Sequence, residues 1–105
     1  ATCAADGYYK IAGTDVYVQN GRAVDVNGTL AGSTLTMFKA MKNMMAFCNI
    51  SLNEAIKYAT INPAKMVNAD FVGKIAKCYR ADFIAISDIT NPEIENVYIG
   101  GCEVK

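Results

Sequence analysis

The stretch "GTLAGSTLTM", residues 28–37, lies between a turn-rich region and an apolar helical pattern, and it carries no charge. Gly28 and Gly32 admit backbone angles closed to other residues, and hydroxyls from Ser33 to Thr36 are suited to accept from the free N–H groups of a helix start. The residues alone leave two readings open. One is the capped start of a helix, which binds nothing in most proteins; the other is a loop whose small residues let a ligand approach the backbone.

On the N-terminal side, hydrophobic alternation runs from Thr14 to Gln19 and again from Arg22 to Val26, with Asn20-Gly21 between the two runs. That dipeptide suits a type I′ turn, whose two central residues both need positive φ, so a β-hairpin is expected over residues 14–26. On the C-terminal side, Met37, Ala40, Met41, Met44, Met45 and Cys48 recur at intervals of three and four, predicting an amphipathic helix over about 36–49. Its methionines read as flexible core filling. Ser51 and Glu54 form a capping box that opens a second helix over 52–60. In "NPAKMV", Asn62 reads as an N-cap with Pro63 at the first helical position, giving a short third helix over 62–67. Beyond Gly73, "ADFIAIS" (81–87) and "NVYIGGCEV" (96–104) are β-rich, and Gly100-Gly101 predicts a second hairpin. Helices with apolar faces thus lie between hairpins that are marginal alone, the order expected of a piece of a larger α/β protein.

Composition narrows the function. Among 105 residues, ten are basic and ten acidic, and they form no run of either sign, which excludes a phosphate-backbone or anionic-membrane partner. The longest apolar cluster, residues 44–48, is too short to span a bilayer, and the first fifteen residues lack the order of a secretion signal, so a cytoplasmic protein is expected. The four cysteines form no C-x-x-C pair, and free thiols are expected. Histidine is absent, which removes the commonest general base, the commonest transition-metal ligand and every Ser-His or Cys-His arrangement. These residues contain no self-sufficient active site and no metal site.

Taken in order, "DGYYKIAG", the Asn-Gly hairpin, "GTLAGSTLTM", an amphipathic helix, "IS" before a second helix, "NPA", a "G-x-I" turn, "ADF" and "V-x-I-G-G" resemble the C-terminal part of the N-acetylglucosamine-6-phosphate deacetylase family of the amidohydrolase superfamily. The resemblance implies an α/β fold: residues 1–72 as the end of a (β/α)8 TIM barrel and 73–105 as strands of a small β-sandwich domain. It implies a hydrolase that converts N-acetylglucosamine 6-phosphate to glucosamine 6-phosphate and acetate. A divalent ion of the zinc or iron class, held by a glutamate and two histidines, activates water there, with an aspartate as the proton carrier. The metal ligands have no counterpart in this chain, and the aspartate is expected just before Ala1, so the segment alone is expected to be inactive. Leu30, Ala31 and Gly32, within a loop over 28–34, are the residues the resemblance places against the substrate. The partners it implies are the amino-sugar phosphate, the rest of the same barrel and, for the full-length enzyme, a homodimer mate.

The segment between Ala1 and Asp6 is shorter than the family pattern, and Asp6 matches a later Asp-Gly rather than the catalytic aspartate. Asp82 in "RADF" reads as a turn-fixing residue before a strand rather than an acid catalyst. Tyr8 and Tyr9 read as packing, and Lys10, Arg22 and Arg80 as solvated cations rather than phosphate ligands. Two other readings remain: a non-catalytic sugar-binding module, and an amidohydrolase acting on a different amide.

Overall fold

The computed structural model describes residues 1–104. The chain divides into two compact units, Ala1–Ala40 and Met41–Lys105. The first strands pair with their neighbours in the chain, so the first unit gathers its contacts before the helices begin.

In the first unit, β1 (Gly7–Ile11), β2 (Thr14–Gln19), β3 (Arg22–Asp25) and β4 (Leu30–Ser33) form an antiparallel meander in chain order. The expected hairpin over 14–26 is the centre of this sheet. Asn20 and Gly21 both take positive φ, 51° and 74°, as the Asn-Gly signal requires. Ala12 and Gly13 do the same at 48° and 86°, a turn hidden in the sequence because alanine rarely enters the left-handed region. The β3–β4 turn is closed by one side chain. Asp25 Oδ1 accepts from the Asn27 N–H at 2.9 Å and the Thr29 N–H at 2.8 Å, while the Asp25 N–H donates to the Thr29 carbonyl at 2.9 Å.

Val16, Val18 and Ala23 form the buried cluster of this sheet, with Ala1, Ala4, Tyr9 and Ala31 packed against it. Val16 and Val18 flank exposed Tyr17 on β2, the period-two pattern of a strand with one covered face. Burying each valine stabilises the fold by roughly 1.5–3 kcal/mol.

Helix α1 (Met37–Cys48) begins at Thr36, whose hydroxyl oxygen accepts from the Lys39 N–H at 3.2 Å. It ends before Asn49, which adopts φ 51°, the left-handed stop favoured after a last turn. In the second unit, the Ser51 hydroxyl oxygen accepts from the Glu54 N–H at 3.3 Å at the start of α2 (Leu52–Ala59), as the capping box predicts. Helix α3 (Ile61–Met66) starts earlier than expected. Asn62 is not its cap: Thr60 holds that position without a side-chain cap bond, and its hydroxyl donates instead to the Ile56 carbonyl at 2.7 Å. Pro63 then lies inside the first turn, where its missing N–H goes unused.

Strands β5 (Phe83–Ile86), β6 (Ile94–Ile99) and β7 (Cys102–Val104) make a second antiparallel meander. Gly100 and Gly101 turn it at φ 59° and 82°. Asp82 holds that turn: Oδ1 accepts from the Gly100 N–H at 2.8 Å, and Oδ2 lies 2.9 Å from Arg80 Nε. Phe83 and Tyr98, partners in register, stack with ring centroids 4.5 Å apart.

Candidate functional site

Leu30, Ala31 and Gly32 lie on a strand. The stretch read as a loop over 28–34 contains β4 (Leu30–Ser33), at the edge of the first sheet. Small residues have low strand propensity, and the ladder is irregular, so period-two reading misses it. Arg22 pairs with Ser33, Ala23 with Gly32 and Val24 with Leu30, leaving Ala31 without a partner. This is a β-bulge, an arrangement that re-aims side chains at sheet edges.

The bulge sends the three residues to different surroundings. Through register, Leu30 continues the row Tyr8, Tyr17, Val24 across the sheet, and it is 71% exposed. Ala31 packs against Val16, Val18 and Ala23. Gly32 shares a register position with Ala23 but does not use glycine's freedom: its φ lies outside the left-handed region, and an added Cβ meets nothing within 4 Å. The expectation of special backbone angles holds at Gly28, φ +78°, and fails at Gly32. Open space beside Gly32 is what its small size provides.

The stretch also caps a helix, as one of its two readings expects. Thr36 supplies the cap, and the Ser33 hydroxyl oxygen accepts from the Leu35 N–H at 3.1 Å. The Thr34 hydroxyl donates to the Gly21 carbonyl, fastening this segment to the β2–β3 turn. The Thr2 hydroxyl reaches the Ser33 carbonyl at 3.4 Å and the Leu35 carbonyl at 3.5 Å. With Ala1 packed on the same cluster as Ala31, the first residues of the chain are seated beside β4.

A cleft of about 690 Å³ opens along β4, lined by Leu30, Ala31 and Gly32 together with Arg22, Ser33 and Lys39. Of the cations set aside in the sequence, Lys10 lies 3.7 Å from Asp15 and Arg80 pairs with Asp82. Arg22 has no ion pair among the described residues and lines the cleft. Lys39, in the first turn of α1, lines it as well. Spacing gave no signal that both would line one cleft, because the β3–β4 ladder and the turn into α1 bring them to it.

Other polar groups have structural work. The Thr29 backbone N–H, followed by that of Asn27, holds the Asp25 carboxyl below the usual carboxylate range. Asp6 Oδ2 accepts from the Asn20 N–H at 3.1 Å, bracing a turn. Tyr8 donates its hydroxyl to Asp15, which raises the Tyr8 phenol above its ordinary value. Tyr8 and Tyr17 meet edge to face at 5.2 Å. Among the described residues no three of His, Cys, Asp and Glu come together as metal ligands, and the donor set does not fit a divalent ion. All four cysteines are free and exposed. No helix among the described residues is long and apolar enough to cross a membrane.

Comparison with known proteins places this arrangement. The sequence model described as the Amidohydrolase family matches residues 1–104. A putative N-acetylgalactosamine-6-phosphate deacetylase from Escherichia coli (strain K12) is 32% identical over 97 residues, covering 91% of this chain and 57% of its own. The crystal structure of N-acetylglucosamine-6-phosphate deacetylase from Thermotoga maritima aligns with a TM-score of 0.82 at 29% identity, over 97% of this chain and 28% of its own. A mutant N-acetyl-D-glucosamine-6-phosphate deacetylase from Mycobacterium smegmatis, in complex with N-acetyl-D-glucosamine-6-phosphate, aligns at 0.77 and 27% identity, over 94% of this chain and 26% of its own. The chain therefore spans little more than half of the curated relative and about a quarter of each solved one. Matched by the family's sequence model from residue 1 to residue 104, the chain belongs to the amidohydrolase family.

Proposed function

We propose that this chain is the C-terminal segment of a full-length deacetylase that releases acetate from an N-acetylhexosamine 6-phosphate. Residues 1–72 form the end of its (β/α)8 barrel, and 73–105 form strands of its β-sandwich domain. The seating of the chain's first residues against β4 carries this reading. The family pattern puts the catalytic aspartate immediately before Ala1, and Thr2 and Ala1 pack beside the strand that bears Leu30, Ala31 and Gly32. A proton carrier and a substrate-contacting strand thereby share one place.

Within that reading, exposed Leu30 offers an apolar surface to the acetyl methyl, and the space beside Gly32 lets the sugar approach the backbone. In the full-length enzyme a divalent ion of the zinc or iron class, held by residues outside this chain, would supply the activated water. The segment by itself is inactive; the full-length enzyme is cytoplasmic and forms a homodimer.

The sugar is the open element, because the relatives divide between glucosamine and galactosamine names. These differ only in the orientation of one hydroxyl. The test is acetate release by the full-length protein from both N-acetylhexosamine 6-phosphates, with and without a chelator. Chelator-sensitive release from one or both supports the proposal, and the better substrate assigns the sugar. No release from either, with the metal restored, overturns it.

A further inference from the structure

We propose that the opening turn of the chain, Ala1–Ala4, is a tether that positions the proton carrier against β4, and that Thr2 is its positioning residue. The inference rests on the reading above, in which an aspartate immediately before Ala1 carries the proton. The Ala4 N–H donates to the Ala1 carbonyl at 3.0 Å, closing a β-turn that holds Cys3 at φ 64°. A non-glycine residue persists in the left-handed region only where its surroundings hold it there. Those surroundings can be named. Ala1 and Ala4 pack on the Val16, Val18 and Ala23 cluster, the Ala5 carbonyl accepts from the Tyr9 hydroxyl at 2.9 Å, and Asp6 Oδ2 accepts from the Asn20 N–H at 3.1 Å. The opening segment, shorter than the family pattern, is thus fastened to the first sheet on both sides of Cys3.

Thr2 links this turn to the proposed substrate strand. Its hydroxyl reaches the Ser33 carbonyl at 3.4 Å and the Leu35 carbonyl at 3.5 Å, long distances that fit one proton shared between two acceptors. One acceptor ends β4, and the other immediately precedes the Thr36 cap of α1. The two sides of this contact are held unequally. Strand β4 has its ladder to β3 and the bond from Thr34 to Gly21, whereas the chain start has the Thr2 hydroxyl and the packing of Ala1 and Ala4. Removing the hydroxyl therefore loosens the chain start and leaves β4 in place. A proton carrier works only within hydrogen-bond reach of both the attacking water and the leaving nitrogen, and a misplacement of about 1 Å costs up to about a hundredfold in rate. The Thr2 hydroxyl thus acts on proton transfer rather than on substrate contact.

The test is acetate-release kinetics on the full-length Thr2→Val and Thr2→Ser proteins, with thermal denaturation alongside. Thr2→Val keeps the side-chain shape without the donor, and its kcat is expected to fall about tenfold with KM within about twofold of the wild type. Thr2→Ser keeps the donor and is expected to restore most of the rate, and neither variant shifts the thermal midpoint by more than about 2 °C. An unchanged kcat in Thr2→Val overturns the tether. So does an equal loss in Thr2→Ser, a rise in KM that accounts for the whole loss, or activity that falls in step with the thermal midpoint. A wild-type protein that releases no acetate sinks the deacetylase reading and this inference with it, whereas an active wild type beside an unaffected Thr2→Val sinks the tether alone.

Discussion

At Gly73 the backbone turns with φ +85°, and an added Cβ would lie 3.1 Å from the Ala64 side chain and 3.1 Å from Ile61 Cα. At Gly32 the backbone is outside the left-handed region, and an added Cβ meets nothing within 4 Å. The first glycine is demanded by the chain's own folding, since both the turn and the approach to α3 exclude a side chain. At the second, neither the turn of the backbone nor the packing of this chain requires so small a residue.

Three measurements break or sharpen this contrast. The largest expected effect is at Gly73: Gly73→Ala adds left-handed strain to a contact against backbone atoms that cannot swing away, costing about 2–3 kcal/mol. Urea denaturation reads this directly, and a change smaller than about 0.5 kcal/mol erases the distinction between the two glycines.

Next comes Gly32→Ala, which leaves stability within about 0.5 kcal/mol because the new methyl enters open space. Under the proposed substrate site the same methyl takes up room at the sugar, and KM of the full-length protein is expected to rise by about tenfold, equivalent to about 1.4 kcal/mol. Denaturation and acetate-release kinetics on one variant separate the two effects; unaltered KM removes Gly32 from the site.

The smallest effect concerns the turn that delivers β4. The folded-state pKa of Asp25 is lowered by the Thr29 and Asn27 N–H groups, and that of Asp88 by Thr90. A lowered folded value stabilises the protein above the unfolded pKa, and the contribution is lost as pH falls through the lowered one. The thermal midpoint is therefore expected to fall on acidification below about pH 4, and less steeply in Asp25→Asn, which keeps an acceptor oxygen without the titration. Equal slopes for the two proteins remove Asp25 from the acid-sensitive turn.

Legibility follows the range of the interactions. Asn20-Gly21, the Ser51–Glu54 box and Gly100-Gly101 announce their turns and cap because each signal acts within four residues of chain. The methionine spacing likewise marks α1, since helical periodicity is a local property. Strand β4 escapes that kind of reading: "LAGS" has neither alternation nor β-branched residues, and the strand exists because β3 and the Asp25-closed turn present a ladder to it. Ala12-Gly13 was hidden for a related reason, since β1 and β2 hold an alanine in a conformation it would not choose. At α3, Asn62-Pro63 looked like a start, but the bond from Thr60 to Ile56 links its N-terminus to α2 and moves it forward.

By itself the sequence determined which function classes are closed, through a balanced charge and a complete lack of histidine, and it carried the family pattern in the order of its motifs. Tertiary structure alone decided what Leu30, Ala31 and Gly32 face. One unpaired residue in a ladder divides them between an exposed row, a buried cluster and open space, and register is a property of two strands, invisible in either one. It also decided which cations pair with carboxylates, because an ion pair depends on distances across the fold rather than along the chain.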